Sequence, residues 1–89
     1  MQVRWTTPAA KDLQRITRRI RQDNSTAARQ VAKTLYGGAM SLEAMPHRGR
    51  GGRIAGTREL VFAPYVIVYR VEAEMVEILR IYHNAQDWP

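Results

Sequence analysis

Residues 56–89 read GTRELVFAPYVIVYRVEAEMVEILRIYHNAQDWP, and this stretch decides the fold. It contains three runs rich in β-branched and aromatic side chains, which favour strands. The runs are Arg58–Phe62, Tyr65–Glu72 and Met75–His83, and Ala63-Pro64 and Ala73-Glu74 separate them. Because both connections are short, consecutive strands are antiparallel neighbours. The stretch therefore predicts a three-stranded meander.

The last two strands carry apolar side chains on both of their alternating faces. In the middle strand Tyr65, Ile67, Tyr69 and Val71 point one way and Val66 and Val68 the other, and in the last strand Val76 and Ile78 oppose Leu79 and Ile81. A sheet with two apolar faces needs two covers, and the remaining sequence supplies one. We therefore expect an uncovered apolar face that binds another protein. A homodimer, or cover by the terminal Trp88-Pro89, is the alternative.

The sequence before the meander predicts one short strand and two helices. Gln2 to Trp5 alternates as a strand does, and Thr7-Pro8 supplies a cap and a proline suited to the first turn of a helix. Apolar residues at helical spacing then predict a helix over residues 8–22 and, after Asp23-Asn24-Ser25, a second helix that ends before Pro46. These residues are Leu13, Ile16 and Ile20 in the first helix and Ala28, Val31, Leu35, Leu42 and Met45 in the second. Gly37-Gly38 favours a close approach between the helices.

Together these elements predict an α+β fold. It consists of an N-terminal strand, a two-helix hairpin, and then an antiparallel meander sheet of three to four strands with the helices on one face. At 89 residues the chain is long enough for one domain, residues 1–89, with a single modest core.

The charge of the chain indicates an anionic partner. The formal net charge is +6, from 14 Lys and Arg against 8 Asp and Glu, and most of the bases are arginine. Guanidinium groups suit carboxylate and phosphate, so the complement is an acidic protein or a nucleic acid. The chain has no cysteine, no apolar signal segment and no run long enough to cross a bilayer. We therefore expect a cytoplasmic protein without a membrane partner.

Residues 46–56, PHRGRGGRIAG, form a compositionally biased segment with three arginines, four glycines and no acid. The composition predicts a mobile basic loop, with a strand near Arg53 to Ala55. It is either a solvated connection or a contact for phosphate or carboxylate. The lysine and hydroxyl residue of a P-loop are absent from it.

His83 is the best candidate for acid–base chemistry, since it ends the last strand beside a polar segment and an imidazole titrates near neutral pH. A site that cleaves a phosphodiester needs a base, an acid and cations, and Arg58, Arg80, Tyr82 and His83 supply those groups. A structural hydrogen bond is the other explanation of this histidine. The sequence shows no spacing typical of a metal site and no cofactor motif, so we expect neither.

These residues resemble toxins of the RelE/ParE superfamily from bacterial type II toxin–antitoxin modules. The resemblance lies in the ending YRVEAEMVEILRIYHNAQDWP, in GTRELV before it, and in the opening WTTPAAKDL. It implies a toxin that arrests growth and that a cognate antitoxin, wrapped around it, holds inactive. It also gives the arginines an acidic partner.

The superfamily has two activities. RelE-like members cut messenger RNA in the ribosome with basic residues on the strands, without a metal, whereas ParE-like members poison DNA gyrase. Arg58 matches the first of the basic strand positions of RelE-like toxins, but Leu60 and Val66 stand where those toxins usually have further cationic residues. The spacing of His83 and Asp87 is similar to ParE-like endings. The resemblance thus favours a gyrase inhibitor.

Two alternatives stay open at this point. One is a ribosome-dependent mRNA endonuclease in which His83 is the acid–base group and Arg58, Arg80 and Tyr82 assist it. The other is an inactive relic that still binds an antitoxin. For a toxin of either activity, we expect the surface that binds target or antitoxin to include Arg50, Arg53, Arg58, Tyr65, Ile67, Tyr69, Asp87 and Trp88.

Overall fold

The structure is a computed structural model, and it describes residues 1–83. Its elements are β1 (Gln2–Trp5), α1 (Thr7–Arg21), α2 (Ser25–Met40), a 3-10 turn (Ser41–Glu43), β2 (Arg50–Gly51), β3 (Arg58–Phe62), β4 (Tyr65–Glu72) and β5 (Met75–His83). This order confirms the predicted α+β fold, and the three meander strands begin and end where the sequence places them.

All five strands form one mixed sheet in the order β1-β5-β4-β3-β2. The meander is antiparallel, β2 adds an antiparallel edge, and β1 lies parallel to the first half of β5, with Gln2 opposite Met75 and Trp5 opposite Ile78. Because β1 ends opposite Ile78, no strand from residues 1–83 lies beside the outer edge of β5 from Leu79 onward. The helices fill that position.

Several predicted boundaries were wrong by a few residues, because the helix caps and the pairing partner of the loop strand lie elsewhere. Thr6, not Thr7, caps α1: its hydroxyl accepts a hydrogen bond from the backbone N–H of Ala9. The second helix ends at Met40 instead of running to Pro46, and Met45 is exposed. The short strand of the basic loop lies at Arg50–Gly51 rather than near Arg53 to Ala55.

Both helices pack on one face of the sheet and enclose the main core. Its buried members are Ala9, Leu35, Ala39, Leu42, Leu60, Ile67, Tyr69, Val76, Ile78 and Ile81. Half-buried side chains from both helices, among them Leu13, Ile16 and Val31, complete it. The predicted helical stripes therefore face the sheet, as amphipathic helices require.

The opposite face of the sheet is not the open apolar surface that the sequence predicts. A β-bulge lies between Val68 and Tyr69, where Arg80 and Ile78 are consecutive partners and Leu79 is passed over. The extra residue at Leu79 returns the side chain of Ile81 to the helix side of the sheet, the same side as Val76 and Ile78. The prediction that Ile81 lies on the other face from Val76 and Ile78 is therefore wrong. On the far face Val66 and Val68 pack against Tyr82 and are 0% and 2% exposed.

Gly38 of α2 permits a close approach, although the neighbour is a strand and not the other helix. A Cβ atom at Gly38 would lie 2.3 Å from Cε2 of Phe62 in β3, whereas a Cβ at Gly37 meets nothing within 4 Å. The ring of Phe62 is held in turn by the core on one side and by the guanidinium of Arg48, 5.6 Å from its centroid. The adjacent glycines thus have different roles.

We expect Gly38→Ala to destabilise the fold by about 1–3 kcal/mol, because the added methyl overlaps the Phe62 ring. Gly37→Ala is the matched control and is expected to stabilise by up to about 1 kcal/mol, since alanine is the better helix former. Urea unfolding followed by circular dichroism measures both. Equal effects of the two substitutions would contradict the assigned packing.

Candidate functional site

Asp12 joins α1 to the unpaired part of β5. Its side chain is 1% exposed and accepts hydrogen bonds from the backbone N–H of Ile81 at 2.9 Å and from Nε and Nη2 of Arg80 at 2.8 and 3.0 Å. Nη1 of Arg15 donates a further bond at 3.1 Å. Close by, the Thr6 hydroxyl donates to the carbonyls of Ile78 and Leu79. Asp12 and Thr6 thereby provide hydrogen-bond partners for backbone groups of β5 at the edge where β1 has ended.

Burial of the Asp12 carboxyl acts to raise its pKa, but the hydrogen bonds from Arg80 and Ile81 and the charge of Arg80 outweigh it and lower the pKa below its usual value. Arg80 responds in the opposite direction: the bond to Asp12 raises the pKa of its guanidinium. The guanidinium also lies 5.2 Å from the centroid of the Tyr82 ring. Arg80 is thus committed to a structural ion pair.

Glu59 of β3 has the same role for the basic loop. Its carboxylate is 1% exposed and accepts bonds from Nη2 of Arg50 at 3.0 Å and from the backbone N–H of Arg53 at 3.0 Å. Burial acts to raise the pKa of Glu59, and these bonds together with both arginine charges lower it overall. The acid that the loop itself lacks is therefore supplied by the neighbouring strand.

Two further side chains make three hydrogen bonds to the loop, so it is anchored on the sheet rather than free. The buried hydroxyl of Tyr69 donates to the carbonyl of Pro46 and accepts from the N–H of Gly49, each at 2.9 Å. Nη1 of Arg58 donates to the carbonyl of Gly49 at 2.6 Å. This cationic position of β3 thus supports the chain that precedes β2.

The four residues proposed for RNA cleavage do not share one site. Arg58 pairs with Tyr69 and His83 pairs with Tyr65, so the two lie about 13 Å apart along β4 and about 10 Å apart across it. Tyr82 lies opposite Val66 on the far face, with Arg80 beside it. His83 points to the helix side, where its ring meets that of Tyr65 edge-to-face at 5.7 Å.

His83 instead borders a groove between α1 and the end of the sheet. The groove has a volume of about 450 Å³, and its lining residues are Arg15, Ile16, Arg19, Ile20, Asp23, Asn24, Tyr65 and His83. We call it the α1–His83 groove. Within the described chain, the buried Nδ1 of His83 has no hydrogen-bond partner. The groove brings together a histidine, two arginines and apolar side chains.

The other residues predicted for partner binding are divided between surface and core. Arg50 and Arg53 are exposed on the loop, and Tyr65 lines the groove. Ile67 and Tyr69 are 0% exposed in the core beneath the helices, so they are removed from any contact surface. Asp87 and Trp88, like the predicted cover by Trp88-Pro89, lie outside the described residues.

Sequence reasoning overlooked Asp12 and Glu59, which organise the cations, and Arg15 and Arg19, which line the groove. In the sequence, Asp12 is one polar residue on an amphipathic helix and Glu59 is an alternating position of a strand. The one available signal was the scarcity of acids among so many arginines. Arg80 and Ile81, the main partners of Asp12, are 68 and 69 residues away, and spacing along the chain does not reveal them.

No set of three or more metal-ligating side chains clusters among residues 1–83. In the same range, no helix is long and apolar enough to cross a membrane.

The chain is similar in sequence to known toxins. The family model for the ParE toxin of the type II toxin–antitoxin system parDE matches residues 3–88. Y4kP of Sinorhizobium fredii, named as a toxin, is 42% identical over 98% of this chain and 92% of its own. "Toxin RelE2" of Caulobacter vibrioides is 44% identical over 96% of this chain and 97% of its own.

Two solved structures of toxin–antitoxin systems contain chains with a similar fold. A chain of the chromosomal ParDE system from P. aeruginosa superposes with a TM-score of 0.85 at 25% identity, covering 93% of this chain and 95% of that one. A chain of the toxin–antitoxin complex RelBE2 from Mycobacterium tuberculosis gives a TM-score of 0.63 at 31% identity, covering 92% and 95%.

The fold and the related sequences assign the protein to a class, the toxins of bacterial type II toxin–antitoxin modules. The order of elements and the similarity in sequence both agree with that class. Within it, the chain belongs to the ParE toxin family.

We expect Asp12→Asn to destabilise the fold by about 1–3 kcal/mol at neutral pH, because the ion pair is lost while its arginine partners keep access to water. The pKa of Asp12 is lower in the folded chain than in the unfolded one. The stabilisation of the fold by the Asp12 carboxylate is therefore fully present above the pKa of the unfolded chain, about 4. It disappears as the pH falls through the pKa of the folded chain.

Urea unfolding of wild type and variant across the acid range checks this expectation, with the exposed Glu74→Gln as control. The stability difference between wild type and Asp12→Asn should shrink as the medium becomes strongly acidic. A difference that stays constant with pH would show that the carboxylate charge is irrelevant.

Proposed function

We propose that this toxin inhibits DNA gyrase without enzymatic chemistry of its own. The observation that carries the proposal is the separation of the cleavage residues. Arg58 lies opposite Tyr69 in the middle of β4, His83 lies opposite Tyr65 at its start on the other side, and Arg80 is bound to Asp12. A pentavalent phosphate would need all of these groups within hydrogen-bond distance of one position. The fold offers no such position in its described part.

The match to the ParE family supports the same target, because gyrase inhibition is the activity that the resemblance to ParE-like toxins implies. The neighbouring structures include toxin–antitoxin systems, which supports a cognate antitoxin as the second partner. Gyrase acts where the chromosome is, so we place the toxin in the cytoplasm.

Ribosome-dependent cleavage of messenger RNA is the second candidate. The relative named "Toxin RelE2" and the similarity to a chain of the RelBE2 complex favour it. His83 would then act as acid–base group on the groove side, with Arg15 and Arg19 in place of the predicted strand cations.

Purified toxin, freed from its antitoxin, distinguishes these activities when supercoiling of relaxed plasmid by gyrase and cutting of ribosome-bound message are assayed side by side. We expect inhibition of supercoiling and an intact message. His83→Gln and Arg58→Ala should inhibit as strongly as wild type, because neither group performs chemistry in this proposal and the guanidinium of Arg58 is bound to the carbonyl of Gly49 instead of a partner. An unfolding curve of Arg58→Ala checks that loss of its bond to Gly49 leaves the toxin folded.

A wild-type toxin that leaves supercoiling untouched and cuts message, with cutting lost in His83→Gln, would overturn the proposal in favour of an endonuclease. A folded toxin with neither activity would identify the chain as a relic that retains only antitoxin binding.

A further inference from the structure

The positive charge of the protein is concentrated on the helical hairpin of α1 and α2. Residues 7–40 contain seven bases and two acids, a net charge of +5 out of the total of +6. Arg15 is paired with the buried Asp12. The other six bases are exposed and form no ion pair within residues 1–83, and they are Lys11, Arg18, Arg19, Arg21, Arg29 and Lys33. The hairpin therefore carries most of the unbalanced positive charge.

Four of these bases lie on the side of the hairpin that is turned away from the sheet. On α1, Leu13 and Ile16 pack against the core, and two bases lie on the opposite side of the helix, two turns apart. On α2, Leu35 is buried in the core, and two bases lie one turn apart on the side away from it. We call this surface the outer hairpin face, and its bases are Lys11, Arg18, Arg29 and Lys33.

The outer hairpin face brings its four charges close together. Lys11 and Arg18 are about 10 Å apart along the axis of α1, and Arg29 and Lys33 are about 6 Å apart along α2. The axes of packed helices are about 8–10 Å apart. Because only residues 22–24 separate α1 from α2, the two rows of bases lie side by side. The result is a compact surface with positive charge in two parallel rows.

Helix stability does not account for most of these bases. Arg18 lies in the last turn of α1, where a cation interacts favourably with the helix dipole. Lys11 lies in the second turn of α1, and the last turn of α2 contains no base. Arg29 and Lys33 are four residues apart, and like charges at this spacing destabilise a helix. A binding partner outside the protein is the remaining physical reason for the cluster.

The neutral side chains of the hairpin surface favour a phosphate backbone as that partner. They include Gln14, Gln22, Thr26 and Gln30, which are exposed. Among residues 7–40, all of which the structure describes, Tyr36 is the one large apolar side chain that is exposed, and its ring is stacked on Trp5. Protein interfaces have an apolar centre. Phosphate groups, in contrast, are bound by arginine and lysine together with glutamine and threonine.

The shape of the outer hairpin face favours a duplex over a single strand. Proteins that bind single strands stack the bases on exposed aromatic rings along a groove. The concave surface with aromatic rings is the α1–His83 groove, and the four bases of the outer hairpin face do not line it. One helix, about 10–12 Å across, fills the major groove of DNA, so two helices side by side are too wide to enter it. The contacts are therefore with phosphates and independent of base sequence.

We propose that the outer hairpin face binds the phosphate backbone of double-stranded DNA, independently of sequence, through Lys11, Arg18, Arg29 and Lys33. The inference goes beyond the proposed function, because the toxin itself binds the duplex and gyrase is not needed for the contact. With gyrase as the target, the same contact brings the toxin onto the DNA on which the enzyme acts.

The salt dependence of binding tests the proposal, since each phosphate contact releases counterions. Full-length toxin, freed from its antitoxin, is titrated into fluorescent duplexes of two unrelated sequences, and anisotropy gives the affinity at several salt concentrations. We expect the two affinities to agree within about threefold, and log K to fall with log salt concentration with a slope of about −3 to −4 for four contacts. Arg18→Gln and Lys33→Gln should each reduce the slope by about 1 and weaken binding about tenfold near 50 mM salt.

Gln2→Glu is the matched control. Gln2 is exposed on β1, outside the hairpin, and its replacement lowers the net charge by one, as each of the other two substitutions does. We expect this variant to keep the slope of wild type and to weaken binding by less than about threefold. Unfolding curves confirm that all three variants are folded.

Three results would overturn the proposal. The first is a wild-type toxin that does not bind the duplex at low salt. The second is equal weakening by Gln2→Glu and Lys33→Gln, which would show a general effect of net charge. The third is tighter binding to single-stranded RNA or to polyglutamate than to the duplex, lost on Lys33→Gln, which would assign the surface to another class of partner. Failure of gyrase inhibition is separate, because gyrase is absent from this experiment.

Discussion

The constraint on which this structure depends is the edge of β5. The strand has nine residues, but β1 accompanies only the first four, and the rest would expose unpaired backbone groups. Asp12 resolves this problem by accepting the N–H of Ile81 and, through the same carboxylate, the guanidinium of Arg80. The orientation of α1 on the sheet follows from that attachment, and the groove beside His83 follows from the orientation of α1.

A second buried carboxylate repeats the arrangement at the other side of the sheet. Glu59 fixes Arg50 and the backbone of Arg53 as Asp12 fixes Arg80. In both places one acid organises arginines that the sequence presents as free cations. The result is a segregation of charge. Most arginines of the sheet are paired with carboxylates, whereas Lys11, Arg18, Arg19, Arg21, Arg29 and Lys33 of the helical hairpin are exposed and form no ion pair within residues 1–83. That segregation bears directly on function, because paired arginines are poor candidates for catalysis and unpaired ones are good candidates for recognition.

The sequence predicts those parts of the fold that depend on local patterns. Alternating apolar residues and short turns give the three meander strands their observed ends, and the stripes of Leu13 and Ile16 or Val31 and Leu35 give the helices their buried faces. The local pattern does not predict the bulge at Leu79, because the bulge is defined by the pairing of β5 with β4. It changes which side chains of β5 lie on each face of the sheet. The parallel position of β1 and the bonds of Asp12 to Arg80 and Ile81 are likewise contacts between distant residues. His83 does border a groove, but its neighbours there come largely from α1 and not from the strands that the sequence pattern singles out.

A double-mutant cycle between Asp12 and Arg80 tests most directly the claim that Arg80 is structural. Urea unfolding of Asp12→Asn, Arg80→Met and the double variant yields the coupling free energy, from which the bonds of Asp12 to Ile81 and Arg15 cancel. Because Asp12 is buried while Arg80 is 42% exposed, we expect a coupling of about 1–2 kcal/mol. A coupling below about 0.3 kcal/mol would mean that the guanidinium is independent of Asp12 and available for other chemistry, which contradicts a structural role for Arg80.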